Sequence, residues 1–304
     1  MKLGFVSAIL PEFSFEELID YASLSGFACV EVCCWPVGKA ERRYAGVTHI
    51  DVDLLDEAKV LYINNYLKEK NISVSALGYY PNPLDPDQTK SDFYVTHIKK
   101  VIEASNKLGI NQINTFIGRD QHKTTDQNFG RFLEIWKPIV AYAETLKVKI
   151  GIENCPMLFT RDEWPGGHNL ATTPKMWRQM FDAIPSDYFG LNYDPSHLLW
   201  MQMDYIKPIY DFKDKIFHVH IKDAKVYPEK LAEVGIMAYP LEFHSPKLPG
   251  LGDIDWGRFS AALNDINYQG PSCIEVEDKD FESSTGIKQN GIILSKQYLS
   301  QWIK

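Results

Sequence analysis

Eight short apolar runs, each followed by a stretch with helical spacing, recur along the whole chain and limit the folds open to it more than any other feature. The runs cover residues 3–9, 28–33, 72–77, 112–117, 148–153, 189–194, 216–221 and 272–276. The apolar spacing predicts helices over about 14–25, 55–70, 92–108, 128–146, 175–184, 256–266 and 287–303, with a weaker piece over 206–212. Start and stop signals agree: Ser14 with Glu17 makes a capping box, Thr173 precedes Pro174, Asp255 precedes Trp256, and Gly26 and Gly109 follow helix ends. Strands alternating with helices predict a parallel sheet, and eight of each predict an α/β fold of the (β/α)8 TIM-barrel type. An open doubly wound sheet would carry a glycine-rich phosphate loop after its first strand, where this chain has Leu10-Pro11-Glu12. No linker or charge run divides the chain, so residues 1–304 are read as a single domain.

The seventh run, Phe217-His218-Val219-His220-Ile221-Lys222-Asp223, places His218, His220 and Lys222 on one face of a strand. Imidazoles and an ammonium in a barrel need partners, because an unpaired buried polar group costs on the order of a few kcal/mol. Carboxylates stand at the ends of three other strands, at Glu153, Asp194 and Glu275. In a barrel the reactive groups come from strand C-termini and the loops beyond them. Two glutamates, an aspartate and a histidine so placed can surround one divalent ion, Mn, Mg, Co or Zn, with oxygen and nitrogen donors and leave room for a bidentate substrate.

The segments Gly151-Ile152-Glu153-Asn154, Asp194-Pro195-Ser196-His197, His220-Ile221-Lys222-Asp223, Pro249-Gly250-Leu251-Gly252-Asp253-Ile254-Asp255-Trp256 and Ile274-Glu275-Val276-Glu277 resemble, in this order, the xylose isomerase-like TIM-barrel superfamily of sugar isomerases and epimerases. The resemblance implies Glu153, Asp194, His220 and Glu275 as metal ligands and His197 as a contact to substrate oxygens. It also implies Glu153 and Glu275 as the acid and base that move a proton beside a carbonyl, through an enediolate that the metal stabilises. Lys222 is read either as a contact to a substrate oxygen or as the partner of Glu153 or Glu275. His218 is read as a substrate contact or a satisfied core histidine, and Glu277 as sharing the strand face or turning to solvent. Trp35, Trp164, His168, Lys39, Arg42 and Arg43 lie on long loops that would wall a sugar site, an ordinary solvated loop being the alternative for the three basic residues.

The expected activity is that of a metal-dependent sugar, keto-sugar or polyol isomerase or epimerase. A dehydratase of a keto-inositol or similar keto-polyol is the alternative, and a non-catalytic sugar-binding protein a third reading. Ketose 3-epimerases of the superfamily carry a further glutamate shortly after the strand-five ligand, where this chain has Met157-Leu158-Phe159. The endonuclease branch has extra histidines on earlier strands that are missing around Tyr79 and Asn114. A net charge of -8 and a pI near 5.5 also argue against a nucleic-acid partner. Five cysteines without zinc-ribbon or CxxC spacing fit free thiols in a reducing compartment, and no run approaches the ~20 apolar residues of a membrane span. The expectation is a cytoplasmic protein acting on a small carbohydrate, with a homo-oligomer left open.

Overall fold

A computed structural model describes the chain except for residues 39–43, 159–160, 164–165 and 304 and the side chain of residue 162. The strands are β1 (Lys2–Val6), β2 (Cys29–Cys33), β3 (Ser73–Gly78), β4 (Gln112–Thr115), β5 (Lys149–Glu153), β6 (Phe189–Tyr193), β7 (Ile216–Ile221), β8 (Asp223–Val226), β9 (His244–Lys247) and β10 (Pro271–Ile274). Eight of them close a parallel barrel in the order β1-β10-β7-β6-β5-β4-β3-β2. The expected TIM barrel is therefore present, because each crossover places a helix on the outer face and buries the strands on both sides.

The helices are α1 (Phe15–Leu24), α2 (Glu57–Lys70), α3 (Gln88–Lys107), α4 (Thr125–Thr145), α5 (Pro174–Ala183), α6 (Pro195–Trp200), α7 (Lys207–Asp211), α8 (Pro228–Val234), α9 (Trp256–Asp265) and α10 (Thr285–Leu299). Their starts follow capping chemistry. The Ser14 Oγ accepts from the Glu17 amide at 3.1 Å while the Glu17 carboxylate accepts from the Ser14 amide at 2.8 Å. Two helices start earlier than their apolar spacing suggests. Asp87 caps α3 and a Thr124–Gln127 capping box opens α4, so the first three residues of each are polar and exposed and carry no periodic signal.

The stretch between β7 and β10 departs from the expected plain loop. Asp223–Val226 pairs antiparallel with His244–Lys247, and the excursion between them holds α8. This hairpin stands over the C-terminal mouth of the barrel. The segment 249–256 is tied down by one side chain: Asp223 accepts from the amides of Ala224 (2.8 Å), Ile254 (3.0 Å) and Gly250 (3.0 Å) and from Trp256 Nε1–H (2.9 Å). Asp223 and the Pro249–Trp256 motif thus belong together as a structural latch. No helix among the described residues is long and apolar enough to cross a membrane.

Candidate active site

Four strands that are consecutive around the barrel, β5, β6, β7 and β10, supply the candidate ligands. Glu153 ends β5, Asp194 and Glu275 follow β6 and β10, and His220 lies in β7. The four form one arc of the mouth with Glu153 and Glu275 at its ends. The backbone fixes them locally. Asn154 clamps the ends of β5 and β6 by giving a hydrogen bond to the Asp194 carbonyl and taking one from the Asp194 amide, both at 2.8 Å. Asp194 also caps α6, its Oδ1 accepting from the Ser196 amide at 2.8 Å, which leaves Oδ2 toward Lys222 and His197.

His220 is oriented from below. Its Nε2 lies 2.8 Å from Oε2 of Glu31, a fully buried carboxylate on β2 that also accepts from Asn114 Nδ2 at 2.8 Å and from the Tyr80 hydroxyl. Gly78 makes room for it, since a Cβ there would stand 2.7 Å from Glu31 Oε1. An ionised carboxylate only accepts, so His220 Nε2 carries a proton toward Glu31, and Nδ1 points the other way, toward Glu275 and Glu153, where a metal ion would take the place of its second proton. That Nδ1 is 3.3 Å from Glu275 Oε2 and 3.7 Å from Glu153 Oε1. Burial pushes the Glu31 pKa up, but His220 beside it outweighs burial and holds it at about 2. Burial likewise opposes charge on His220, and Glu31 and Glu275 lift its pKa well above the ordinary imidazole value, so a cation is drawn to Nδ1.

This geometry provides a test for a divalent ion. Among the described residues Asp194 Oδ2 and His220 Nδ1 are buried and held only by ion-pair contacts, the nearest being Lys222 at 3.0 Å and Glu275 at 3.3 Å, and donor atoms of Glu153, His220 and Glu275 lie within 4.8 Å of one another. Asp194 joins them through the Lys222 ammonium, which is 2.8 Å from Glu275, 3.0 Å from Asp194 and 3.9 Å from Glu153. Burial raises the pKa values of Glu153 and Asp194, yet the neighbouring His197, His220 and Lys222 bring both below the ordinary carboxylate range. Three anionic oxygens and one neutral imidazole nitrogen fit Mn, Mg, Co or Zn.

His197, on α6, is a neighbour of a different kind. Its Nδ1 accepts from Trp200 Nε1–H at 3.3 Å, and an indole can only donate. The proton of the ring therefore sits on Nε2, facing Asp194 Oδ2 at 3.2 Å and Glu153 Oε1 at 3.6 Å. Against burial, Cys155 and Asp194 pull its pKa upward, but a second proton on Nδ1 would meet the Trp200 N–H head on, which favours the neutral ring. His197 is thus a donor into the site. With Nε2 protonated and Nδ1 taken by Trp200, His197 has no lone pair for a second metal trio with Glu153 and Cys155, although donor atoms of the three come within 4.8 Å.

Above these groups opens a cavity of about 290 Å³. Trp35, Tyr44, Phe116, Met157 and Trp200 form much of its wall, Tyr239, Pro240 and His244 of the hairpin region cover it, and Glu153, His197, Lys222, Glu275 and Glu277 form its polar floor. Trp35 thus reaches the cavity, as the loop reading expects. Glu277 turns inward to Lys222 at 3.1 Å rather than to solvent. His218 does not reach the cavity: it is fully buried below, with Nδ1 2.9 Å from Asn192 Oδ1 and Nε2 3.1 Å from Ser75 Oγ, and burial lowers its pKa to about 3. This is the satisfied core histidine of the two sequence alternatives. His168 pairs with Glu163 at 3.1 Å and lies outside the cavity wall. Trp164, Lys39, Arg42 and Arg43 fall outside the described residues.

Sequence reasoning missed Glu31, Tyr80, Asn114 and Asn192. A glutamate inside the apolar run 28–33 was the available signal, since nothing else in that strand is polar. The other three are uncharged and look like ordinary strand-end residues.

The family profile described as xylose isomerase-like TIM barrel matches residues 19–296. The uncharacterized protein YfiH of Bacillus subtilis is 26% identical over 336 residues, covering 99% of this chain and all of that protein. An inosose dehydratase of Clostridium perfringens is 26% identical over 117 residues, 36% of this chain and 39% of that protein. Among solved structures, D-psicose 3-epimerase with D-tagatose from Clostridium cellulolyticum H10 superposes with a TM-score of 0.71 at 15% identity over the whole of both chains. The IOLI protein with a binding zinc atom superposes with a TM-score of 0.73 at 18% identity, again over the whole of both chains. At these identities the structures share the fold.

Proposed function

This chain belongs to the xylose isomerase-like TIM-barrel family, and we propose that within it the protein is a divalent-metal-dependent isomerase or epimerase of a sugar, keto-sugar or polyol. The observation that carries the reading is the pair of carboxylates at the two ends of the ligand arc, Glu153 and Glu275, with His220 Nδ1 between them and a small cavity above. Glu153, Asp194, His220 and Glu275 would hold the ion, which when bound supplies a Lewis acid that polarises a carbonyl and makes the neighbouring C–H more acidic. Each glutamate can give one oxygen to the ion and keep the other for a proton. One takes the proton from the carbon beside the carbonyl, and the other returns a proton to a different carbon or face. His197 Nε2–H donates to a substrate oxygen from the α6 side. The aromatic wall of Trp35, Trp200 and Phe116 suits the apolar faces of a sugar and keeps water from the reacting carbon.

A dehydratase on the same groups is the second reading, favoured by the local match to an inosose dehydratase. The same first proton transfer then leads to loss of a β-hydroxyl. Incubation of metal-replete protein with free, phosphorylated and keto-sugars in deuterated water separates the two. Deuterium incorporation into a product of otherwise unchanged mass supports isomerisation, and loss of water supports the second reading. Absence of any carbon-bound deuterium across the panel, with metal bound, would count against both.

A further inference from the structure

Lys222 is 2% exposed and its ammonium stands inside the carboxylate cluster. It touches Glu275 at 2.8 Å, Asp194 at 3.0 Å and Glu277 at 3.1 Å, with Glu153 at 3.9 Å. An ammonium has three N–H donors, and three carboxylate oxygens are within reach, so its demand is met. Glu275, Asp194 and Glu153 are also the carboxylates that would hold a divalent ion; Glu277 is not one of them. A divalent ion cannot share Asp194 Oδ2 and Glu275 Oε2 with an ammonium some 3 Å away, because each cation would lose the charge that holds it and the two would repel in a site with little water to screen them. Glu277 offers the exit. It lies two residues beyond Glu275, lines the cavity with Lys222, and its side chain is 28% exposed.

We propose that Lys222 is the resident counter-cation of the ligand cluster, displaced when a divalent ion enters, and that Glu277 is the receiving carboxylate that then holds its ammonium at the cavity wall, where it faces substrate oxygens. The inference rests on the proposed function only in requiring that the cluster take a divalent ion. Lys222 and Glu277 become positioning residues whose roles depend on each other, and the carboxylates have a cation beside them in both states. The long flexible stem of lysine suits this movement, as a planar guanidinium would not.

Mn²⁺ is the probe. Calorimetric titration of the full chain should show Lys222→Met binding Mn²⁺ on the order of tenfold more tightly than wild type. Its metal-free form should melt at a lower temperature, because the cluster has lost its cation. Glu277→Gln should bind Mn²⁺ more weakly. Those signs would also follow from net charge alone, so a crystal structure of the Mn²⁺-loaded wild type decides. Lys222 Nζ bonded to Glu277 and out of reach of Asp194 and Glu275 supports the proposal; Nζ still on Asp194 with the ion bound overturns it and leaves the metal reading intact. Mn²⁺ uptake by Lys222→Met alone overturns the displacement, because Lys222 then holds the wild-type cluster against the ion, and uptake by neither protein overturns both. If Lys222→Met does not fold, the position of Nζ in the loaded wild type still separates the two outcomes.

Discussion

Replacing Glu31 with Gln keeps the volume of the side chain and removes its charge. Three donors reach this carboxylate, His220 Nε2–H and Asn114 Nδ2–H at Oε2 and the Tyr80 hydroxyl at Oε1. A glutamine can keep its oxygen toward His220 and Asn114 and turn its amide toward Tyr80, whose oxygen can accept, so the fold survives. What is lost is the charge-assisted part of two bonds, on the order of 1–3 kcal/mol, which lowers the melting temperature by roughly a few degrees for a chain of this size. The larger effect should fall on the metal. Glu31 fixes the tautomer of His220 and makes Nδ1 a better donor, and loss of such a partner typically weakens metal binding about 10- to 100-fold, or roughly 1.4–2.7 kcal/mol. The assay is calorimetric titration of chelator-stripped wild type and Glu31→Gln with Mn²⁺, beside thermal unfolding of each. An affinity within about twofold of wild type, with the variant folded, would refute the argument that Glu31 acts on the metal through His220.

Other outcomes follow from the same geometry. His197→Ala should retain the metal, measured by elemental analysis, while turnover falls; loss of metal as complete as in Asp194→Ala would make His197 a ligand. Glu153→Gln and Glu275→Gln should each lower turnover by roughly a hundredfold to ten-thousandfold under saturating metal. A variant that still exchanges the carbon-bound proton for solvent deuterium without forming product identifies the remaining glutamate as the initial base, and full exchange in both would exclude the pair. Asp223→Ala removes the acceptor of four hydrogen bonds and should cost about 3 kcal/mol of stability, read by calorimetry; an unchanged melting temperature would refute the latch. Acid should destabilise the fold through its neutral histidines: burial lowers the pKa values of His49, His97 and His244, the last to about 4. The unfolded chain takes up these protons near pH 6.5 before the folded chain does, so stability falls as pH drops below about 6.5, for His244 down to about pH 4 at up to about 1.4 kcal/mol per pH unit. His220, whose pKa is raised, keeps its proton through that window and adds no opposing slope. Denaturant titrations of metal-free protein at several pH values measure this, and a flat profile below pH 6.5 would contradict it.

The barrel was legible in the sequence because both of its periods are local: strand and helix are each written in residues a few positions apart, and the order of eight such pairs leaves little choice of topology. Glu153, Asp194, His220 and Glu275 stood out for the same reason, each an ionisable residue at the end of an apolar run, a place where burial demands an explanation. His218 and Glu277 could not be assigned that way. Strand parity puts His218 on the inner face, but whether an inward side chain meets the cavity or the packed layer beneath depends on its height in the barrel, and Asn192 and Ser75 claim it there. Parity likewise says nothing about whether the chain beyond a strand end turns its next carboxylate outward or, as at Glu277, back onto a lysine from another strand.

The sequence by itself determined the fold class and which residue types could do chemistry, since hydrophobic spacing and the cost of burying charge act within a few residues. Pairings across 53 to 189 residues of chain were decided only by the closed barrel, which brings Glu31 under His220 and Lys222 onto Glu275. Such contacts depend on strand order, register and the space left by Gly78, none of which a single strand encodes. The hairpin of β8 and β9 belongs with them: four residues are too few to show a period, the two strands are separated by a long excursion, and their pairing places His244 and Pro246 of β9 on the cavity.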